Sequence, residues 1–154
     1  MNSNTKRPVV LLVDDDDEDI YLTRRAFCSA QENIIFKSVQ NGTELFNYLK
    51  RQGQFADNEA CDLPDVILMD INIPKENGFD LLASLKADEE FKHLPVSMLT
   101  TSSSNKDIHK AYQLGASSFI CKSVSAEGMK QVAENFCLYW LNFAKLPSHT
   151  TTDR

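Results

Sequence analysis

Apolar positions along the chain fall in short unbroken blocks, separated by longer stretches of helical spacing. Val9-Val10-Leu11-Leu12-Val13 is apolar at every position and stops at acids, as a strand buried on both faces of a parallel sheet does. The segment after it sets Ile20, Leu22, Ala26, Phe27 and Ala30 among charges, a loose helical period. Asn33 to Val39 is a second β-rich block, with Ile34, Ile35 and Phe36. Asn41-Gly42 reads as a turn, and Thr43 as the cap of a helix carrying Leu45, Phe46 and Leu49. A polar loop from Gly53 to Leu63 leads to a third block, Asp65-Val66-Ile67-Leu68-Met69, which ends at Asp70. Pro74 and Asn77-Gly78 punctuate a turn before a helix with Phe79, Leu82 and Leu85.

Pro95-Val96-Ser97-Met98-Leu99 is the fourth block and ends at Thr100. Ser104 and Asp107 have the spacing of a capping box, and the helix they open carries Ile108, Ala111, Tyr112 and Leu114 before Gly115 closes it. Ser118-Phe119-Ile120-Cys121 is a short fifth strand that ends at Lys122, and a last helix spans about Ser125 to Lys145, before Pro147. Five strand–helix pairs with short connections predict one three-layer α/β domain around a parallel sheet. Its expected bounds are 8–146, with loose ends at 1–7 and 147–154.

Composition narrows the function. The 154 residues are 42% hydrophobic and 25% charged, ordinary for a globular domain. A net charge of −6 makes nucleic acid and anionic membranes poor partners. The longest apolar run is five residues against the roughly 20 that a membrane span needs. A cytoplasmic protein with neither kind of partner is expected. Cys28, Cys61, Cys121 and Cys137 show no CxxC spacing and are read as small buried residues of a reducing compartment. His93, His109 and His149 are scattered and read as surface residues.

The chemistry gathers where strands stop. Ligands of open parallel sheets bind at the carboxyl edge of the strands. Asp14 and Asp15, Asp70, Thr100 and Lys122 each follow or close a strand. Clustered carboxylates repel one another, and a hard divalent cation relieves that. Oxygen-only donors suit Mg²⁺, with Mn²⁺ as a substitute. A lysine and a hydroxyl beside such an ion suggest a phosphoryl group, with Asp70 as its nucleophilic acceptor. The remaining acids of the run, Asp16 to Asp19, are assigned to the positive end of the first helix.

These pieces resemble the receiver domain of two-component response regulators. The resemblance rests on Leu12-Val13-Asp14-Asp15, on Leu68-Met69-Asp70-Ile71-Asn72-Ile73-Pro74 with Asn77-Gly78, on Leu94-Pro95-Val96 through Thr100, and on Gly115-Ala116 and Phe119-Ile120-Cys121-Lys122. It implies a flavodoxin-like α/β/α sandwich with strand order 2-1-3-4-5. It implies phosphorylation of Asp70 by a histidine kinase or phosphotransfer protein. Asp14, Asp15, Asp70 and the backbone carbonyl of Asn72 would hold Mg²⁺. Thr100, Thr101 and Lys122 would meet the phosphoryl group, and Phe119 matches the aromatic switch position. The family usually has a proline after the lysine, joined by a cis peptide. Ser123 stands there instead, and a cis bond before serine costs about 3 kcal/mol, so either that bond stays cis or the loop differs.

Few residues follow the last helix, so a stand-alone receiver acting through protein contacts is expected. That helix is apolar nearly all round from Phe136 to Ala144, and Tyr139, Trp140 and Phe143 read as a partner or homodimer surface. The Tyr139-Trp140-Leu141 pattern, the long loop before the third strand and Thr100-Thr101-Ser102-Ser103-Ser104 also resemble regulators that pair with bacterial phytochrome kinases. That looser resemblance implies a dimer through the fourth helix, fifth strand and fifth helix, and extends the donors to a light-regulated kinase. Other classes stand beside this reading. A dehalogenase-type phosphatase would want an acid where Asn72 is, and a nucleotide binder a glycine-rich loop where the acids are. A phosphorylation-independent scaffold would normally lose some of Asp15, Asp70, Thr100 or Lys122.

Overall fold

A computed structural model describes residues 7–56, 63–147 and 149. Cys61 and most of the expected loose ends lie outside the described residues. The chain runs β1 (Val9–Val13), α1 (Asp17–Ala30), β2 (Ile35–Val39), α2 (Gly42–Lys50), β3 (Val66–Met69), β4 (Asn72–Ile73), β5 (Glu76–Asn77), α3 (Gly78–Ala87), β6 (Val96–Thr100), α4 (Asn105–Gln113), β7 (Ser118–Cys121) and α5 (Ala126–Phe136), followed by a π-helical segment, Cys137–Phe143. The main sheet is ordered β2-β1-β3-β6-β7 and is parallel throughout. Counted by its own five strands, that is the expected order 2-1-3-4-5. β4 and β5 form a separate two-residue antiparallel ribbon, which the sequence pattern showed only as a turn.

Strand residues alternate between two cores, as a period of two requires. Leu11, Val13, Ile67, Met69, Val96 and Met98 face one core, shared with α2 and α3. Val10, Leu12, Val66, Leu68 and Leu99 face the other, where Phe27 of α1 meets Phe136 of α5 edge-on at 5.4 Å. Ser97 and Thr100 are the buried polar residues of β6, and Ser118 Oγ bonds the Ser97 hydroxyl at 2.7 Å.

Several local expectations need correction. Asn41, not Thr43, caps α2, because the Asn41 side-chain oxygen accepts the Glu44 N–H at 2.8 Å. Ser104 caps α4 as expected, accepting the Asp107 N–H at 3.1 Å. The Asp107 carboxylate takes the Ser102 hydroxyl at 2.7 Å rather than reaching back to Ser104. The last helix does not run evenly to Lys145. It widens after Phe136, where the Ala144 N–H donates to the Tyr139 carbonyl at 2.7 Å and the Asn142 side-chain Nδ2 to the Cys137 carbonyl at 2.8 Å. The wider turn brings half-buried Trp140 and Leu141 onto the α1–α5 core. Cys28 and Cys121 are exposed thiols and only Cys137 is buried among the described cysteines. His149 is not a free surface residue: its ring lies tilted beside His93, centroids 6.1 Å apart, and approaches Asp65 at 3.4 Å.

Candidate functional site

Each acid of the site is placed by the sheet itself. The Asp14 N–H extends the β1–β2 ladder to Val39 at 3.0 Å. The Asp70 N–H extends the β3–β1 ladder to Val13 at 3.0 Å, and the Lys122 N–H the β7–β6 ladder to Thr100 at 2.7 Å. All three residues therefore stand one step past a strand, at the same carboxyl edge. Their side chains meet there. Lys122 Nζ lies 2.8 Å from Asp14 Oδ2, 2.9 Å from Asp19 Oδ2 and 3.0 Å from Asp70 Oδ2.

The environment is largely dry. Asp14 is fully buried, and the side chains of Lys122 and Asp70 are 7% and 10% exposed. Burial pushes the Asp14 carboxyl above the ordinary carboxylate range, while the bond from Lys122 and the Asp16 N–H pull it back. Burial also works against the Lys122 ammonium. The bonds to Asp14 and Asp19 and the charge of Asp70 outweigh it and raise the lysine above its usual value. Asp14 Oδ1 accepts the Asp16 N–H at 3.0 Å, and Asp70 Oδ1 the Asn72 N–H at 3.4 Å. Gly78 lets α3 start directly over Asp70, since a Cβ there would collide with the Asp70 carbonyl.

Of the expected site residues, Asp14, Asp70 and Lys122 are joined directly. Thr100 is buried at the same edge, and its hydroxyl oxygen accepts the Ser102 N–H at 3.4 Å. That bond uses a lone pair and leaves the O–H free to donate. Thr101 is exposed. Phe119 is half-buried on β7, opposite Met98. Asp15 borders an open polar cleft with Asn41, Glu44, Lys75 and Glu76. Tyr139 and Phe143 are 56% and 69% exposed, whereas Trp140 packs on Phe136 and Tyr139. Every peptide bond among the described residues is trans, Lys122–Ser123 included.

Asp19 is the residue the pattern missed. Sequence alone assigns it to the helix end with Asp16, Asp17 and Glu18. Asp16 does cap α1, through the Glu18 and Asp19 N–H groups. Asp19 instead turns its carboxylate to Lys122. The signal was its place on the inward stripe of α1, four residues before buried Thr23 and eight before buried Phe27.

The donor chemistry bears on a metal. Among the described residues no three acidic, histidine or cysteine side chains converge into a metal-holding group. The residues nevertheless fit a hard cation. The donors are carboxylate oxygens, Asp14 is penalised for carrying its charge buried, and Asp14 and Asp70 already share one cation, the Lys122 ammonium.

Comparison with known proteins agrees with this geometry. Residues 10–134 match the response regulator receiver domain family. The chain is 30% identical over 139 residues to the probable methanogenesis regulatory protein FilR2 of Methanothrix harundinacea, covering 90% of this chain and 87% of that one. The phosphorylated cyanobacterial phytochrome response regulator RcpA superposes with a TM-score of 0.83 at 33% identity, covering 93% of this chain and 100% of that one. Response regulator Rcp1 of Synechocystis is 28% identical over 91% of this chain and 93% of its own length. A Mn²⁺-bound structure of Rcp1 superposes with a TM-score of 0.80, at 27% identity over 92% of this chain and 99% of that one.

Proposed function

The chain belongs to the response regulator receiver domain family, and on that premise we propose that it is a phospho-accepting switch whose acceptor is Asp70. A receiver domain is a signalling module of a two-component system rather than a conventional enzyme, and its partner class is the histidine kinase. The observation that carries the reading is the shared ammonium: Lys122 bridges Asp70 and Asp14 in a dry pocket at the carboxyl edge of the sheet. Likeness to phytochrome response regulators supports a light-regulated kinase as donor.

In the proposed step an Asp70 carboxylate oxygen attacks the phosphorus of a phosphohistidine. A P–O bond forms, the P–N bond breaks, and the imidazole leaves with a proton. Lys122 lies where a transferred phosphoryl oxygen would need a cation. Thr100, whose hydroxyl oxygen accepts the Ser102 N–H, would donate its O–H to another. Asp14, Asp15, Asp70 and the Asn72 carbonyl would hold Mg²⁺, or Mn²⁺, which when bound neutralises charge on the transferring group. The Phe119 side chain and the surface of α4, β7 and α5, with Tyr139, Trp140 and Phe143, would carry the response to a partner or a second copy. Localisation in the cytoplasm accords with this reading, and no helix of the described residues is long and apolar enough to cross a membrane.

Beryllofluoride, a mimic of the acyl phosphate, tests the site without a kinase. With Mg²⁺ it should raise the unfolding midpoint of the wild type, by mass action on the folded state, and leave Asp70→Asn unmoved. An equal shift in both proteins, or none in the wild type, would overturn the assignment of Asp70.

A further inference from the structure

Lys122 has three N–H groups to give, and all three are given to carboxylates: Asp14 at 2.8 Å, Asp19 at 2.9 Å and Asp70 at 3.0 Å. Two of those acids already have a place in the proposed reaction. Asp19 does not. We propose that Asp19 is a positioning residue, which holds the Lys122 ammonium from the α1 side so that one N–H stays aimed at Asp70. This rests on the reading of Asp70 as the phosphoacceptor.

A lysine side chain is a point charge on a flexible four-carbon stem, and it needs external anchors to present a fixed donor. The backbone fixes Lys122 on its N–H side, through the bond to Thr100 at 2.7 Å. On the other side is Ser123, with no ring, in a trans-linked chain that leads to the exposed Val124. Asp14 is one anchor, yet it is also a candidate metal ligand, and a metal ion would compete for its oxygens. Asp19 is the only one of the three acids outside that metal set. Its backbone is itself pinned, in the first turn of α1, by the bond from its N–H to Asp16 Oδ1 at 3.0 Å. Its side chain is 39% exposed, against 0% for Asp14 and 10% for Asp70. Pairing with the lysine therefore costs it the least desolvation of the three.

The test uses the full chain, Mg²⁺ and acetyl phosphate, with adduct formation followed by intact mass. Asp19→Ala should lower the maximal rate about tenfold and leave the donor concentration for half-maximal rate little changed. Asp19→Glu, which keeps the carboxylate, should recover most of the loss. Calorimetric Mg²⁺ affinity should change far less than the rate. A rate in Asp19→Ala matching wild type would overturn the proposal. So would an Asp19→Glu protein as slow as Asp19→Ala, since a carboxylate restored at that position would then not restore the rate. If the wild type takes no adduct at all, the phosphoacceptor reading has failed, and the positioning role is then read separately. The Lys122 ammonium resonance in ¹⁵N-edited spectra should persist in wild type, where Nζ is held, and vanish in Asp19→Ala. Its persistence in Asp19→Ala would overturn the proposal whatever the adduct rates.

Discussion

Lys122 is the residue on which the most charge depends. Three carboxylates share its ammonium, one of them fully buried. Removing one member of such a cluster leaves the rest uncompensated in a poorly solvated site. Lys122→Met should therefore lower stability by about 3 kcal/mol in metal-free urea unfolding at pH 7, and Mg²⁺ should restore part of the loss. Asp14, Asp70 and Lys122 were legible in the sequence because each directly follows a strand. Asp19 was not, because an acid in the first turn of a helix has a sufficient local explanation. Its partner lies 103 residues away, and only the topology brings the two together. Cys137 carries a separate prediction. Burial, aided by Cys28 nearby, pushes its thiol up from 9.0 to about 11. A group raised on folding contributes stability that is complete below its unfolded value and is lost as pH rises through the folded one. Wild-type stability should fall from pH 9 upward, and Cys137→Ala should show a flatter slope between pH 9 and 10.

At the scale of elements, the ribbon of β4 and β5 is the part the pattern under-read. Two residues per strand give too short a run for periodicity to register. Pro74 and Lys75 form its turn, and Lys75 adopts φ 64°, a left-handed conformation that such a turn usually gives to glycine. Lys75→Gly should raise stability by about 1 kcal/mol in denaturant titration. Gly78 has the opposite character, because a Cβ there would strike the Asp70 carbonyl and the Ile71 Cα. Gly78→Ala should cost about 2 kcal/mol and slow adduct formation at Asp70 as well. The π-helical segment was hidden for a different reason. Phe136 to Ala144 is apolar nearly all round, so no clear stripe marks which side is inward. In the structure Trp140 and Leu141 pack against the domain, while Leu138, Tyr139 and Phe143 face outward.

The whole molecule follows from strands that are apolar on both faces. Such strands must be covered on both sides, which forces helices onto each face and all the carboxyl ends to one edge. That logic made the three layers and the location of the site readable. The order β2-β1-β3-β6-β7 came instead from the family resemblance, since strand composition does not encode neighbours. Surface behaviour also belongs to this scale. Tyr112 on α4 and Leu138, Tyr139 and Phe143 on the π-helical segment are all more than half exposed, an apolar surface of the kind that marks a protein contact. Sedimentation should show a dimer of the wild type, and Tyr139→Ser with Phe143→Ser should shift it to monomer with the fold intact. Phosphoryl acceptance by Asp70 is read most simply from intact mass after incubation with acetyl phosphate. The wild type should carry a single phosphoryl adduct that needs Mg²⁺, disappears with EDTA and is absent from Asp70→Asn. An adduct that survives in Asp70→Asn, or a wild type that takes none with Mg²⁺ present, would contradict acceptance at Asp70.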